Sequence, residues 1–228
     1  MSTDPAFLAL MLDAPLMSWG HASRFQRRTT ALHPTRSGIL GMVCAALGAA
    51  KGSADEQAWL VRLGAMRLTV LAIPRQPEGW REPLPIRRLE DYHTVLDTRK
   101  ASGAISKDAV ITHRQYLLDA RFGVILAGSR DALTEVAAAL RNPHWGIWFG
   151  RKSCIPAAPV LRGLADSEPA ALAALGLAGQ RLEQFNTVTD AASFAEGTDT
   201  LMDAPLNFKT REFKPRRILQ QPAQAPEG

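Results

Sequence analysis

Residues 75–115 interrupt a pattern that the sequence keeps on either side, and that interruption limits the folds open to the chain. Before it, Ala6–Leu12 (AFLALML) is a short apolar run ended by Asp13-Ala14-Pro15, which predicts a buried strand. A helix is predicted from about Arg36 to Ala50, with Thr35 or Ser37 as cap and Ile39, Leu40, Val43, Ala46 and Leu47 at helical spacing. Met66–Ile73 predicts a second strand, closed by Pro74. After the interruption, Arg121–Ala127 predicts a third strand. A helix follows, capped by Ser129 or Asp131, with Leu133, Val136, Ala137 and Leu140 on one face and Asn142-Pro143 as its stop. Ala158–Leu161 supplies a fourth strand. The order is βαββαβ with a long insertion between the second and third strands. That is the α+β, ferredoxin-like pattern, which includes RNA-recognition domains. The insertion has prolines up to Pro85, paired arginines at Arg87 and Arg88, and no helical periodicity. A loop that long inside a compact domain is functional or disordered. Beyond residue 162, an alanine-rich helix is expected over Pro169–Leu177. Strand-like pieces follow around Arg181–Val188 and Leu201–Phe208, and the last eight residues form a frayed tail.

Total charge says little here, because +5 on 228 residues also suits an ordinary basic protein. Its distribution says more. Arg24, Arg27, Arg28 and Arg36 lie in a stretch without acids, as do Arg151 and Lys152. Lys209, Arg211, Lys214, Arg216 and Arg217 are opposed only by Glu212. Clustered cations point to a polyanion partner. Cys44 and Cys154 suit a reduced, cytoplasmic chain without a disulfide. Neither metal-ligand spacing nor a cofactor motif is present, and MSTDPAF lacks the features of a signal peptide. No apolar run is long enough to span a membrane.

Three segments carry candidate chemistry. The basic loop with Trp19 and Phe25 leads into a helix N-terminus, where free N–H groups suit a phosphate and aromatic rings suit a base. The helix itself has a stripe of small residues, Gly38, Gly41, Ala45 and Gly48. Each interior glycine costs roughly 1 kcal/mol relative to alanine, so the stripe serves close packing or a ligand. The second segment sets Trp145, Trp148 and Phe149 before Arg151 and Lys152, a stacking surface beside cations or a core with solvated charges. The third, within the insertion, holds Tyr92, His93, Arg99, Lys100, Lys107, His113, Arg114 and Tyr116. His113, Tyr116 and a lysine would be enough for metal-free RNA cleavage, but these residue types in a basic loop more often contact RNA than cut it.

Six stretches in order, PLMSWG, HPTRSGILGMVCAALG, DYHTVL, HRQYLLDARFGVIL, FGRKSC and LNFKTREFKPRRI, resemble the CasD family of type I-E CRISPR surveillance complexes (Cascade). This family lies within the RAMP superfamily. The resemblance runs from about Phe7 to Ile218. It implies an RRM-like domain over residues 1–163 with a thumb inserted at about 75–120. A C-terminal β-rich extension and tail would occupy 164–228. It also implies a non-catalytic subunit that binds the 5′ handle of crRNA, caps the filament of backbone subunits and touches the large PAM-recognition subunit. Target DNA would be met only indirectly. The residues expected near the RNA are Trp19, Gly20, Arg24, Arg27, Arg28, Pro34, Thr35, Arg36, Ser37 and Gly38. Phe149, Gly150, Arg151, Lys152, Ser153, Lys209 and Arg211 join them, with His93, Arg99, Lys107, His113, Arg114 and Tyr116 from the thumb. Tyr92, Thr94, Val95, Leu96 and Lys100 would meet the neighbouring backbone subunit. The type I-C counterpart cuts precursor RNA, so a metal-independent endoribonuclease is the alternative.

Overall fold

A computed structural model describes residues 5–20, 26–99, 102–106 and 108–224. The fold is mixed α+β. In chain order the elements begin with β1 (Pro5–Asp13), β2 (Leu16–Met17), β3 (Arg27–Arg28), α1 (Arg36–Leu47), α2 (Ala54–Gly64) and β4 (Arg67–Ala72). Then come β5 (Arg87–Val95), β6 (Val110–Leu118), β7 (Arg121–Ser129), α3 (Arg130–Arg141), β8 (Leu161–Ala165) and α4 (Glu168–Ala174). The last three strands are β9 (Thr187–Asp190), β10 (Asp199–Asn207) and β11 (Glu212–Gln221).

Seven strands form one sheet in the order β10-β11-β9-β4-β7-β1-β8. β1 and β4 are both antiparallel to β7, so they run the same way and are joined across it by α1 and α2. β7 and β8 are both antiparallel to β1 and are joined by α3. Both faces of the central strands are covered, which explains the unbroken apolar run in β1. Leu8, Leu10 and Leu12 pack with α1 and α3, together with Val124 and Leu126 of β7. Ala9 and Met11 point the other way, to Ala171 and Leu172 of α4 and to Leu71 and Ile125.

Several details differ from the sequence reading. The fourth strand is β8, displaced toward the C-terminus from Ala158–Leu161. α3 begins after Ser129, but that side chain makes no capping bond. The insertion is a hairpin, not a loop: β5 pairs with β6 from Arg87↔Leu118 to Val95↔Val110. Most β5 side chains are exposed, so the alternation that marks a half-buried strand is missing from its sequence. On its other edge β6 takes β2 (Leu16↔Leu118) and, in parallel, β3 (Arg27↔His113, Arg28↔Arg114). The division expected between residues 163 and 164 falls inside β8, and the C-terminal strands extend the same sheet through Thr69↔Thr189.

α1 is the helix with the glycine stripe. Thr35 Oγ1 accepts from the Gly38 N–H, and Gly48 ends the helix at φ +73°. Aromatic rings, not a ligand, fill the stripe. A Cβ at Gly38 would stand 2.8 Å from Trp19, one at Gly41 3.5 Å from Phe208, and one at Gly48 2.8 Å from His144.

Candidate nucleic-acid interface

The N-terminus of α1 was expected to face a phosphate. The structure gives it to an internal carboxylate. The Arg36 N–H donates to Asp203 Oδ2 at 2.8 Å, and Asp203 is buried. The Arg36 side chain is buried as well. Its Nη1 donates to Asp190 Oδ2 at 2.5 Å, and its Nη2 donates to the carbonyls of Leu63, Gly64 and Met66 at 2.9, 3.1 and 2.7 Å. Arg216 closes the cluster, donating to Asp190 Oδ1 at 2.6 Å and to both oxygens of Asp203 at 2.9 and 2.8 Å. Two guanidiniums and two carboxylates therefore balance inside the protein. Burial pushes the Asp203 carboxyl up, but the Arg216 hydrogen bonds and charge and the Arg36 N–H outweigh it and hold it below its usual range. Arg36 and Thr35 thus belong to the framework. Arg217 is also occupied internally, donating to the carbonyls of Phe194 and Gly197.

The other family-like segments do converge, around the Trp19 ring. Trp19 lies on Gly38 and sits 6.0 Å from Phe149, and both rings are buried. The Ser18 N–H donates to the Phe149 carbonyl at 3.0 Å, and the Trp19 N–H to Thr30 Oγ1 at 2.8 Å. Gly150 has φ +96°, and a Cβ there would lie 1.8 Å from the Ser18 carbonyl oxygen. Only glycine fits. Trp19, Phe149, Pro34, Thr35 and Gly38 therefore build the floor of this junction. Gly20, Gly150, Lys152 and Ser153 are on its exposed rim, with Ser37 half-buried.

Beside this rim stands a cluster of guanidiniums. Arg151 donates from Nη1 to the Gln115 carbonyl and from Nη2 to the Arg28 carbonyl, both at 2.9 Å. Its Cζ lies 4.4 Å from the Tyr116 ring centroid. Arg28 stands directly across from Arg114 on the neighbouring strand. Among the described residues none of Arg27, Arg28, Arg114, Arg151 and Lys152 forms an ion pair. Adjacent unpaired cations repel one another, and an anion laid across them relieves the repulsion.

Strand alternation sorts the thumb residues. Arg114 Nε donates to Thr112 Oγ1 at 3.2 Å, which places Thr112, Arg114 and Tyr116 on one face of β6. His113 and Gln115 are on the other, where both reach Glu90 (3.1 and 3.4 Å) and Tyr92 sits edge-on to His113 at 5.3 Å. His113 and Tyr116 therefore face opposite ways, and Tyr116 is buried under Arg151. His93 is paired with Asp91 at 2.5 Å. Tyr92, Thr94, Val95, Leu96 and Arg99 are exposed along β5 and the hairpin end. Lys209 and Arg211 are exposed on the β10–β11 turn, held by another part of the fold, where Lys209 packs on Gly52. Arg24, Lys100 and Lys107 lie outside the described residues. Neither cysteine is poised as a thiolate: burial pushes Cys44 up to about 12 and raises Cys154 too.

The family model described as CRISPR-associated protein (Cas5) matches residues 7–220. The chain belongs to the Cas5 family. It is 28% identical over 220 residues to the CRISPR system Cascade subunit CasD of Escherichia coli strain K12, covering 91% of this chain and 94% of that protein. A chain of a solved CRISPR RNA-guided surveillance complex superposes with a TM-score of 0.75 at 26% identity, over 97% of this chain and 91% of the other. A crystal structure of a Cas protein superposes at 0.64, also at 26% identity, over 96% and 100%. The CRISPR assignment that the six motifs implied therefore stands. Among the described residues no helix of this Cas5 protein is long and apolar enough to cross a membrane.

Proposed function

We propose that this Cas5 protein is the CasD-type subunit of a type I-E surveillance complex in the cytoplasm, holding the 5′ handle of crRNA without cutting it. It caps the backbone-subunit filament and touches the large PAM-recognition subunit. The observation that carries this reading is the group Arg28, Arg114 and Arg151, three guanidiniums without an acidic partner among the described residues, drawn from three separate segments onto one surface. The likeness to CasD and to a chain of an RNA-guided surveillance complex supports it. So does the run β4-β7-β1-β8 with its two crossovers, which we read as a ferredoxin-like, RRM-type core. The non-catalytic reading draws support from β6. A base and an acid must reach one ribose-phosphate together, and His113 and Tyr116 are on opposite faces.

Retention of guide RNA by the co-expressed complex, measured against NaCl concentration, tests the proposal. Each phosphate neutralised on a single strand contributes about −0.7 to the logarithmic slope. Replacing both Arg28 and Arg114 by alanine is expected to flatten the slope by roughly 1.4 and to weaken binding at 150 mM salt by about tenfold or more. Arg151→Ala and Lys152→Ala each weaken retention as well. An unchanged slope in all three variants overturns the reading. Cleavage of labelled repeat RNA by the purified chain in EDTA would establish the endoribonuclease instead.

The thumb makes a separate prediction. Tyr92, Leu96 and Ile105 are exposed near the hairpin tip, while its base is anchored by buried Tyr116 and Leu117. Replacing residues 96–109 by a tight turn is expected to leave the melting temperature within about 3 °C, since the described residues there, Ser106 apart, are exposed or half-buried and contribute little. Co-purification with the backbone subunits should be lost. Retained co-purification would place that contact elsewhere.

A further inference from the structure

Stacking was expected from Trp19 and Phe25 and from Trp145, Trp148 and Phe149, but Phe25 lies outside the described residues, and Trp19 and Phe149 are buried, at 2% and 0% exposure. A base at this surface needs another ring. Among the described residues four aromatic rings have a cation over them. Three of those cations are locked in place. Arg62 over Trp59 is tied to Glu135, Arg217 over Phe194 to the Phe194 and Gly197 carbonyls, and Arg151 over Tyr116 to two carbonyls. The fourth is loose. Lys152 Nζ stands 5.7 Å from the Trp148 ring centroid, near the outer limit of a cation–π contact, and Lys152 is exposed, with no ion pair among the described residues.

Trp148 itself is held firmly. Its neighbour Phe149 is sunk in the core, with its N–H donating to the Cys154 carbonyl at 2.8 Å, while Trp148 stays 36% exposed. The indole lies against Gly146, where a Cβ would come within 2.7 Å of the ring. The left-handed turn at Gly150 then brings the chain back so that Lys152 comes over the ring. A rigid, part-exposed indole beside a free ammonium suits one nucleotide: the base stacks and the phosphate takes the cation.

We infer that Trp148 is the base-stacking shelf of this interface, receiving one unpaired nucleobase as Lys152 swings from the ring to that nucleotide's phosphate. This rests on the RNA-binding reading above and deepens it. Stacking tolerates any base, so the shelf adds retention rather than sequence readout.

The test is an abasic scan of the guide RNA in the co-expressed complex. Trp148→Ala is expected to raise the RNA dissociation constant about tenfold, and Trp148→Phe to keep most of the affinity. One abasic position should reproduce the tenfold loss in wild-type protein and add nothing further in Trp148→Ala. A thermal melt of each variant separates this from a folding defect. If Trp148→Ala binds as wild type while the Arg28/Arg114 variant is weakened, the shelf is wrong and the RNA-binding reading survives. If Trp148→Ala instead loses a protein subunit and keeps its RNA, the ring is a protein contact and the shelf is again wrong. If neither change affects RNA, both readings fall.

Discussion

Asp203→Ala is expected to lower the melting temperature of this Cas5 protein by roughly 6–20 °C, measured by calorimetry or a near-UV signal. The carboxylate joins three parts of the chain: the N–H of Arg36 at the start of α1, the guanidinium of Arg216 on β11, and its own strand β10. Removing it leaves Arg216 buried with only Asp190 for company and leaves an N–H at the α1 terminus without its acceptor. Breaking one partner out of a buried ionic cluster costs about 3–5 kcal/mol, because a charge stays desolvated and uncompensated. In a domain of this size each kcal/mol moves the midpoint by about 2–4 °C. The surface pair Arg130–Asp166 is the control. Asp166 is 87% exposed, so its replacement by alanine should leave the melting temperature nearly unchanged. A double change of Asp203 and Arg216 to apolar residues should recover part of the loss, since it removes both charges together. A loss under 2 °C for Asp203→Ala would show that the cluster does not hold the C-terminal strands.

The same carboxylate fixes an acid limit. Its pKa is held below the ordinary carboxylate value in the folded protein. Its contribution is therefore complete above about pH 4, near the unfolded aspartate value, and disappears as pH falls through the folded value. Asp203→Ala should accordingly narrow its gap to wild type below pH 4, while the gap stays constant from pH 5 to 8.

Much of the core was legible because apolar runs and helical spacing are local signals. The runs 6–12, 66–73 and 121–127 became β1, β4 and β7. α2 was overlooked, although Ser53-x-x-Glu56 is the sequence signature of a helix start: Ser53 Oγ accepts from the Glu56 N–H, and the Glu56 carboxylate accepts from the N–H of Gly52, one residue before the cap, at 2.8 Å. β11 was hidden for another reason. Its stretch Lys214-Pro215-Arg216-Arg217 reads as a solvated cation run, yet Arg216 is a core residue. Proline is tolerated there because Lys214 and Arg216 pair with β10 across a register shift, and β9 joins only from Ile218 onward. Of the interface, the cation-rich segments were visible, but their sorting was not. Arg28 and Arg36 look alike in sequence. One faces solvent, while the other is buried among carboxylates from residues 190 and 203, and no local signal separates them.

Gly150→Ala is expected to disable the interface more thoroughly than removal of any single cation. Two costs combine at this position. A non-glycine residue at φ +96° is strained by about 1–2 kcal/mol. The new Cβ would also stand 1.8 Å from the Ser18 carbonyl oxygen, a backbone atom that cannot rotate aside. Relief requires the Gly150 loop to part from the Ser18 segment, which breaks the Ser18 N–H bond to Phe149. Arg151 would then leave Tyr116 and the two carbonyls it bridges, and Lys152 would leave Trp148. Gly176→Ala isolates the first cost, because Gly176 has φ +80° with nothing within 4 Å of a Cβ. That control should lose about 1 kcal/mol of stability and no RNA. Gly150→Ala should lose RNA by about a hundredfold while its melting temperature drops only a few degrees more than the control's. Equal RNA retention in the two variants would mean that the loop yields without moving its cations, and that the junction around Trp19 does not position them.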